Sequence, residues 1–359
     1  MDGGGDGDGR RARAVFMAFG TKGDVFPIAA LAAAFARDQQ QYTVVFITHS
    51  AHQSLSKHLA ASNVRYMPVS SPPVLAAEQL ENGSCNLFYI GFNFIQDPVT
   101  DLPLLHMREE SPLLLYGFSK EVVERPGYWP SGAHICGFWF LPMTWQFSCD
   151  KCMELSGSMG FLRNPKAFLM VLKTAIEMMN YRFILFSSGY KPLDSAIKSI
   201  ASSVAESSDR VASAPGGDST LLFNDRLLCF SGSIPYSWLF PRCAAAIHHA
   251  GSGSTAAALL AGIPQVVCPF LHDQFYWAER LHLLGVAPEP LQRQHLIPEM
   301  DAASSIHNAA DVLLGAISSA LSSKMKAQAT RLADRLSLED GIGEALRIVK
   351  EKVLTRNKN

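Results

Sequence analysis

Two adjacent histidines, His248 and His249, precede a run of small residues, Ala250-Gly251-Ser252-Gly253-Ser254-Thr255. The run enters an Ala/Leu segment that breaks at Gly262-Ile263-Pro264, and an apolar stretch then leads to Asp273-Gln274. Small residues let the N-terminus of a helix approach a diphosphate closely. Its free N–H groups and dipole favour the negative charge. A histidine at the edge adds a donor. A carboxylate and an amide at the end of the next strand can hold sugar hydroxyls. The layout suits a nucleotide-sugar site, with His248 reading as structural support rather than as a ligand.

A second constellation lies near the N-terminus. The apolar run 14–19 is followed by Gly20-Thr21-Lys22-Gly23-Asp24, which reads as a turn, and Pro27 is expected to open the helix after it. A Gly-Asp turn after a strand is by itself most often only a turn, so Asp24 needs a partner motif to count as chemistry. His49 and His52 stand near the end of the second strand. Phe138-Trp139-Phe140, Trp145 and the aromatic cluster Phe88–Phe94 offer apolar lining, although aromatic clusters more often form core.

The elements that must position these residues form two series. In the first, an apolar run, an Ala-rich helix to about residue 37, a β-branched strand at 42–48, a helix at 50–61 and a strand at 64–69 give βαβαβ order. That order implies a parallel sheet with right-handed crossovers. A short strand is expected at 113–116. The second series is a helix at 165–179 and a buried strand at 182–187, then a helix at 194–207 and strands at 227–231 and 243–248. A helix at 254–261, a strand at 266–270 and two C-terminal helices, about 309–336 and 341–353, complete it. The expected fold class is α/β, with two Rossmann-like, doubly wound domains facing across a cleft and ligand between them at the strand C-termini. The boundaries read as a polar leader at 1–12, an N-terminal domain at 13–140, a linker at 141–156 and a C-terminal domain at 157–359.

Bulk properties narrow the function. The chain has 359 residues, enough for two cores. Its 31 Lys+Arg balance 32 Asp+Glu, so no basic field points to nucleic acid. No apolar run is long enough to span a membrane, and no secretory signal is expected. Seven cysteines are scattered, with Cys149 and Cys152 the one close pair, which reads as reduced thiols in a cytoplasmic protein rather than as a metal site.

The residues of both constellations resemble the sterol 3-beta-glucosyltransferase branch of the UDP-glycosyltransferases, whose fold is called GT-B. Gly20-Thr21-Lys22-Gly23-Asp24-Val25-Phe26-Pro27 is similar to that branch's G-[ST]-[RK]-G-D-V-x-P, and the stretch from His248 to Arg280 resembles its donor signature. Pro235-Tyr236-Ser237-Trp238-Leu239-Phe240 resembles its PHDWLF segment. The resemblance implies transfer of glucose from UDP-glucose to a sterol or similar lipid with inversion, and peripheral contact with membranes. It implies no cofactor and no metal. Asp24 takes the general-base position. His249 takes the diphosphate position, with Gly251, Ser254 and Thr255 at the phosphate loop, Asp273 and Gln274 facing the sugar, and Gly157 and Ser158 at the first turn of the donor domain. Other readings are another apolar acceptor, such as a small phenolic or terpenoid, or a catalytically impaired nucleotide-sugar-binding homologue.

Three departures stand out. Ala250 replaces a family glycine and would add a methyl beside the phosphate loop. The region after Val69 looks abridged. Residues 147–155, where the family has a buried strand, carry Asp150, Lys151 and Glu154, so a loop is expected there, and the donor sheet is expected to begin at 182–187 or to accept only a poor substitute strand before it.

Overall fold

The structure is a computed structural model that describes residues 12–19, 22–70, 113–142, 145, 162–187, 190–205, 219–232, 234–271, 273–298 and 302–354. The expectations placed on 71–112, on 147–155 and on Gly157, Ser158, Cys149 and Cys152 lie outside these residues.

The first series forms as read. Strands β1 (Ala12–Met17), β2 (Tyr42–His49) and β3 (Val64–Val69) make a parallel sheet in that order. Helix α1 (Lys22–Asp38) and helix α2 (Leu55–Ala61) are its crossovers. The register sets Ala14 beside Val44 and Val44 beside Val64, and Phe16 beside Phe46. These residues pack with Val25, Ala29 and Phe35 of α1 in one core cluster. Phe35 meets Phe16 and Tyr42 edge-on at 5.5 and 5.6 Å.

The expected turn at Lys22–Asp24 is instead the first turn of α1, and Pro27 lies inside the helix. Pro27 removes one backbone hydrogen bond, at roughly 3 kcal/mol for an internal position. Val25, Leu31 and Phe35 of α1 are buried and contribute about 1.5–3 kcal/mol each. Their sum exceeds the proline penalty, and Asp24 suits the positive end of the helix.

Residues 114–116 form β4, parallel to β5 (Ala133–Ile135). The second series begins, among the described residues, with helix α3 (Pro165–Met178). Asn164 caps it by accepting the N–H of Ala167 at 3.0 Å, with Pro165 at its first turn. Next come β6 (Phe183–Phe186), α4 (Lys191–Ala205), β7 (Ser219–Leu222) and β8 (Leu227–Phe230), in the order β6-β8-β7 with β7 antiparallel to β8. A short helix α5 (Tyr236–Leu239) leads to β9 (Ala246–His248), α6 (Ser252–Leu260), β10 (Gln265–Val267) and α7 (Gln274–Leu283), with β9 and β10 parallel.

Among the described residues, β6 and β9 each pair on one side only. They nonetheless share packing, because Phe186 lies against the cluster that holds Ala246, and Phe183 and Leu185 against the one that holds Val266 and Cys268.

The long C-terminal helix expected at 309–336 is two helices, α8 (Ala303–Ala320) and α9 (Ser323–Leu336). Ser322 starts the second by accepting the N–H of Met325 at 3.3 Å. Helix α10 (Gly341–Val349) then packs back on the first series, with Ala345 and Ile348 beside Leu31, Cys136 and Trp139. Trp139 Nε1 donates to the Gly341 carbonyl at 3.0 Å, and Lys350 pairs with Asp38 at 2.6 Å. Trp139 is therefore core between the two ends of the chain and not pocket lining.

Candidate donor site at the N-terminus of helix α6

Helix α6 begins without a side-chain cap. Gly251 is its N-cap, with φ −63° and ψ 141°, and the first helical bond runs from the Thr255 N–H to the Gly251 carbonyl at 2.9 Å. The amides of Ser252, Gly253 and Ser254 precede that first bond and are open to an anion.

His249 lies over this end. A Cβ added at Gly251 would sit 2.4 Å from His249 Nε2 and 3.2 Å from its Cδ2. Glycine at 251 is thus required by the imidazole that rests on it. Burial pushes the His249 imidazole below the ordinary histidine range, and the Asp273 carboxylate partly opposes this. His249 is therefore neutral at pH 7 and offers a single N–H.

His248 has a different task. Its Nδ1 accepts the Ala250 N–H at 3.0 Å, and its Nε2 lies 2.7 Å from Gln265 Oε1. Part of its surface is open, yet the packing around the ring pushes its pKa down to about 4, with His249 adding to the effect and the Gln265 hydrogen bond opposing it. Ala250 has φ +62° and is fully buried with Val267, Trp277 and Ala278. The extra methyl relative to the family glycine thus belongs to this core cluster.

The other expected donor residues gather nearby with partners of their own. The Ser254 hydroxyl is hydrogen-bonded to the Tyr236 hydroxyl, and Tyr236 stacks on Phe240 at 4.5 Å. Thr255 is buried, and its hydroxyl has no protein partner. Asp273 Oδ2 accepts the Trp277 indole N–H at 2.9 Å. Gln274 Oε1 accepts the N–H groups of Phe270 and Leu271 at 2.8 and 3.0 Å. Asp273 is exposed and Gln274 half-buried.

Asp24 sits apart from this group, exposed in the first turn of α1 just beyond the C-terminal end of β1. His49 and His52 are buried in the turn after β2. His49 Nδ1 accepts the Ala51 N–H at 3.1 Å, and His52 meets Phe26 edge-on at 6.3 Å.

Sequence reasoning missed Gln265, and it placed Arg280 at the end of the donor signature without a task. Arg280 Nε donates to the Val122 carbonyl, and Phe118 meets Trp277 edge-on at 6.0 Å. Together they tie α7 to the loop between β4 and β5. No chemical pattern marks Gln265; only the parallel pairing of β9 with β10 brings it to His248.

Gly251→Ala is expected to keep the fold and lose the site. Its φ suits alanine and its steric conflict is with a movable ring, so the melting temperature should stay close to that of the parent. The ring must leave its seat, and UDP affinity should fall by about tenfold, as for His249→Ala. Calorimetric UDP titration beside a thermal melt measures both; unchanged affinity would remove the His249–Gly251 contact from the site.

Comparison with known proteins bears on the family and the fold. The profile of the erythromycin biosynthesis protein CIII-like C-terminal domain matches residues 224–334, the stretch that contains β8 through α7. A sterol 3-beta-glucosyltransferase of Arabidopsis thaliana is 39% identical over 115 residues, 32% of this chain and 16% of that protein. The O-mycaminosyltylonolide 6-deoxyallosyltransferase of Streptomyces fradiae is 30% identical over 248 residues, 67% of this chain and 50% of that protein. The chain thus spans half or less of the length of these relatives.

Among solved structures, the calicheamicin glycosyltransferase CalG4 aligns with a TM-score of 0.55 at 14% identity, covering 96% of this chain and 99% of that one. UGT89C1 of Arabidopsis thaliana complexed with UDP aligns at 0.53 and 12%, covering 94% and 99%. At such identity the likeness concerns the fold. A mixed α/β chain built largely on parallel strand pairs, with an open helix N-terminus beneath a histidine and sequence relatives of this kind, is a member of the UDP-glycosyltransferase family with the GT-B fold.

Proposed function

We propose that this protein transfers glucose from UDP-glucose, with inversion, to the hydroxyl of a sterol or similarly apolar lipid. The observation that carries the reading is the neutral His249 imidazole seated on Gly251 over the uncapped N-terminus of α6. In the proposed reaction Asp24 takes the proton of the acceptor hydroxyl as its oxygen attacks the anomeric carbon. The bond to the diphosphate breaks, and UDP leaves with its new charge held by the α6 amides and the His249 N–H. Asp273 and Gln274 orient the sugar. The mechanism places the leaving-group charge on protein donors alone, so it requires no metal.

An apolar acceptor is supported by Met17, Phe19, Met67 and Val69. These are large apolar side chains left exposed at the C-terminal ends of β1 and β3, the end of a parallel sheet where ligands bind. Among the described residues no helix is long and apolar enough to cross a membrane, and the reading adds only peripheral contact with one.

The test is release of UDP from UDP-glucose in the presence of a sterol, a terpenoid alcohol or a phenol, each with and without EDTA. Sterol-dependent release unaffected by EDTA is expected. Release with the phenol alone would move the acceptor class, and loss of activity on chelation would end the metal-free reading. UDP binding without turnover on any acceptor would leave a binding protein.

A further inference from the structure

We propose that Gln265 is a positioning residue for the donor site, acting through His248 on the turn that carries His249 and Gly251. The inference rests on the nucleotide-sugar reading of that site. The turn holds Ala250 at φ +62°, a conformation that L-residues other than glycine resist. A hydrogen bond must hold it there, and the Ala250 N–H donates to His248 Nδ1 at 3.0 Å. That bond requires Nδ1 to be bare, so the neutral ring carries its proton on Nε2.

The acceptor that selects this tautomer is Gln265 Oε1, 2.7 Å away. Gln265 is completely buried. Its place is fixed by pairing with Ala246 in the β9–β10 ladder and by its backbone N–H, which donates to the Val286 carbonyl at 2.9 Å. A flipped amide would set an NH2 against the imidazole N–H, so its orientation is determined as well.

The residue type matters as much as the contact. Glutamine is a neutral acceptor, and a neutral His248 is what the turn needs. A doubly protonated ring would point an N–H from Nδ1 at the Ala250 N–H and release the turn. The groups that act on the His248 ring are Gln265 and His249, and Asp273 acts in turn on His249. A carboxylate at 265 would favour the imidazolium instead.

The experiment compares the full chain with Gln265→Glu and Gln265→Leu. The His248 ring is read by imidazole nitrogen shifts and the turn by exchange protection of the Ala250 amide, both without ligand. UDP-glucose affinity is measured separately by calorimetry from pH 6 to 8; its diphosphate does not titrate in this range. In the parent, the Nε2–H tautomer should persist throughout. In Gln265→Glu, affinity relative to the parent should fall as pH drops through neutrality, together with protection of Ala250. Gln265→Leu should lose about tenfold at every pH, the effect of one buried hydrogen bond, and show mixed tautomers.

An Nδ1–H tautomer in the parent, or a folded Gln265→Glu whose affinity tracks the parent across the range, would overturn the proposal. If the parent fails to bind UDP-glucose, the donor-site reading falls, while the ligand-free measurements still decide the role of Gln265.

Discussion

Asp24→Asn should lower turnover by about 10²–10⁴-fold, the range of a lost general base, while UDP affinity stays at the parent value. The substitution keeps size and hydrogen-bonding capacity in the first turn of α1. The helix loses the favourable charge at its N-terminus, about 0.3–1 kcal/mol. Asp24 is exposed and stands on an element distinct from the α6 group, so chemistry and donor binding should separate cleanly in this variant. Single-turnover kinetics with UDP-glucose and the best acceptor, beside a UDP titration, provide the measurement. A variant with near-parental turnover would leave Asp24 as a helix-start acid only.

The second large effect concerns the fold. A Cβ on Gly341 would lie 2.4 Å from the Phe138 carbonyl oxygen and 2.6 Å from the carbonyl carbon of Gly137. These are backbone atoms, and Gly137 itself is held at φ +99°. Neither side can yield without breaking the Trp139–Gly341 hydrogen bond, so Gly341→Ala should cost about 3 kcal/mol, the upper end of ordinary overpacking.

Gly343→Ala is the matched control. Its Cβ would meet only the Asp340 carboxyl, at 2.2 Å from Oδ2. That side chain can swing away at the expense of its capping bond to the Gly343 N–H, about 1 kcal/mol. Urea unfolding of both variants tests the contrast; equal midpoints would show that the 137–139 segment is not locked against α10.

The donor motif and the βαβαβ order were legible because each has a physical signature that survives in one sequence. Small residues at an α6-type start, β-branched runs at β2 and an apolar, Ala-rich segment at α1 all advertise their structure locally. Strands β5 and β7 did not, because three or four residues, Ala133–Ile135 and Ser219–Leu222, are too few to display alternation. The break between α8 and α9 was hidden because apolar periodicity runs through it and only the capping of Ser322 ends one helix and begins the next. Helix α1 starts five residues before Pro27, the position where proline is usually found at a first turn, because tertiary burial of Val25, Leu31 and Phe35 overrides that preference.

At the site, His249 and Gly251 announced themselves by type and spacing. Gln265 did not, because what matters there is an amide opposite a particular ring nitrogen, which a sequence does not display.

The docking of α10 onto α1 also sets a schedule for biosynthesis. Helix α1 is Ala-rich and buries Leu31 partly against Ala345 and Ile348. At ribosomal speeds the roughly 300 residues between Asp38 and Gly341 take about 15–60 s to make. For that interval the N-terminal sheet and its first helix exist without the segment that closes their core. Until Ala345 and Ile348 are made, the nascent chain thus carries an exposed apolar seam at Leu31, and slowed synthesis in that interval would favour aggregation over closure.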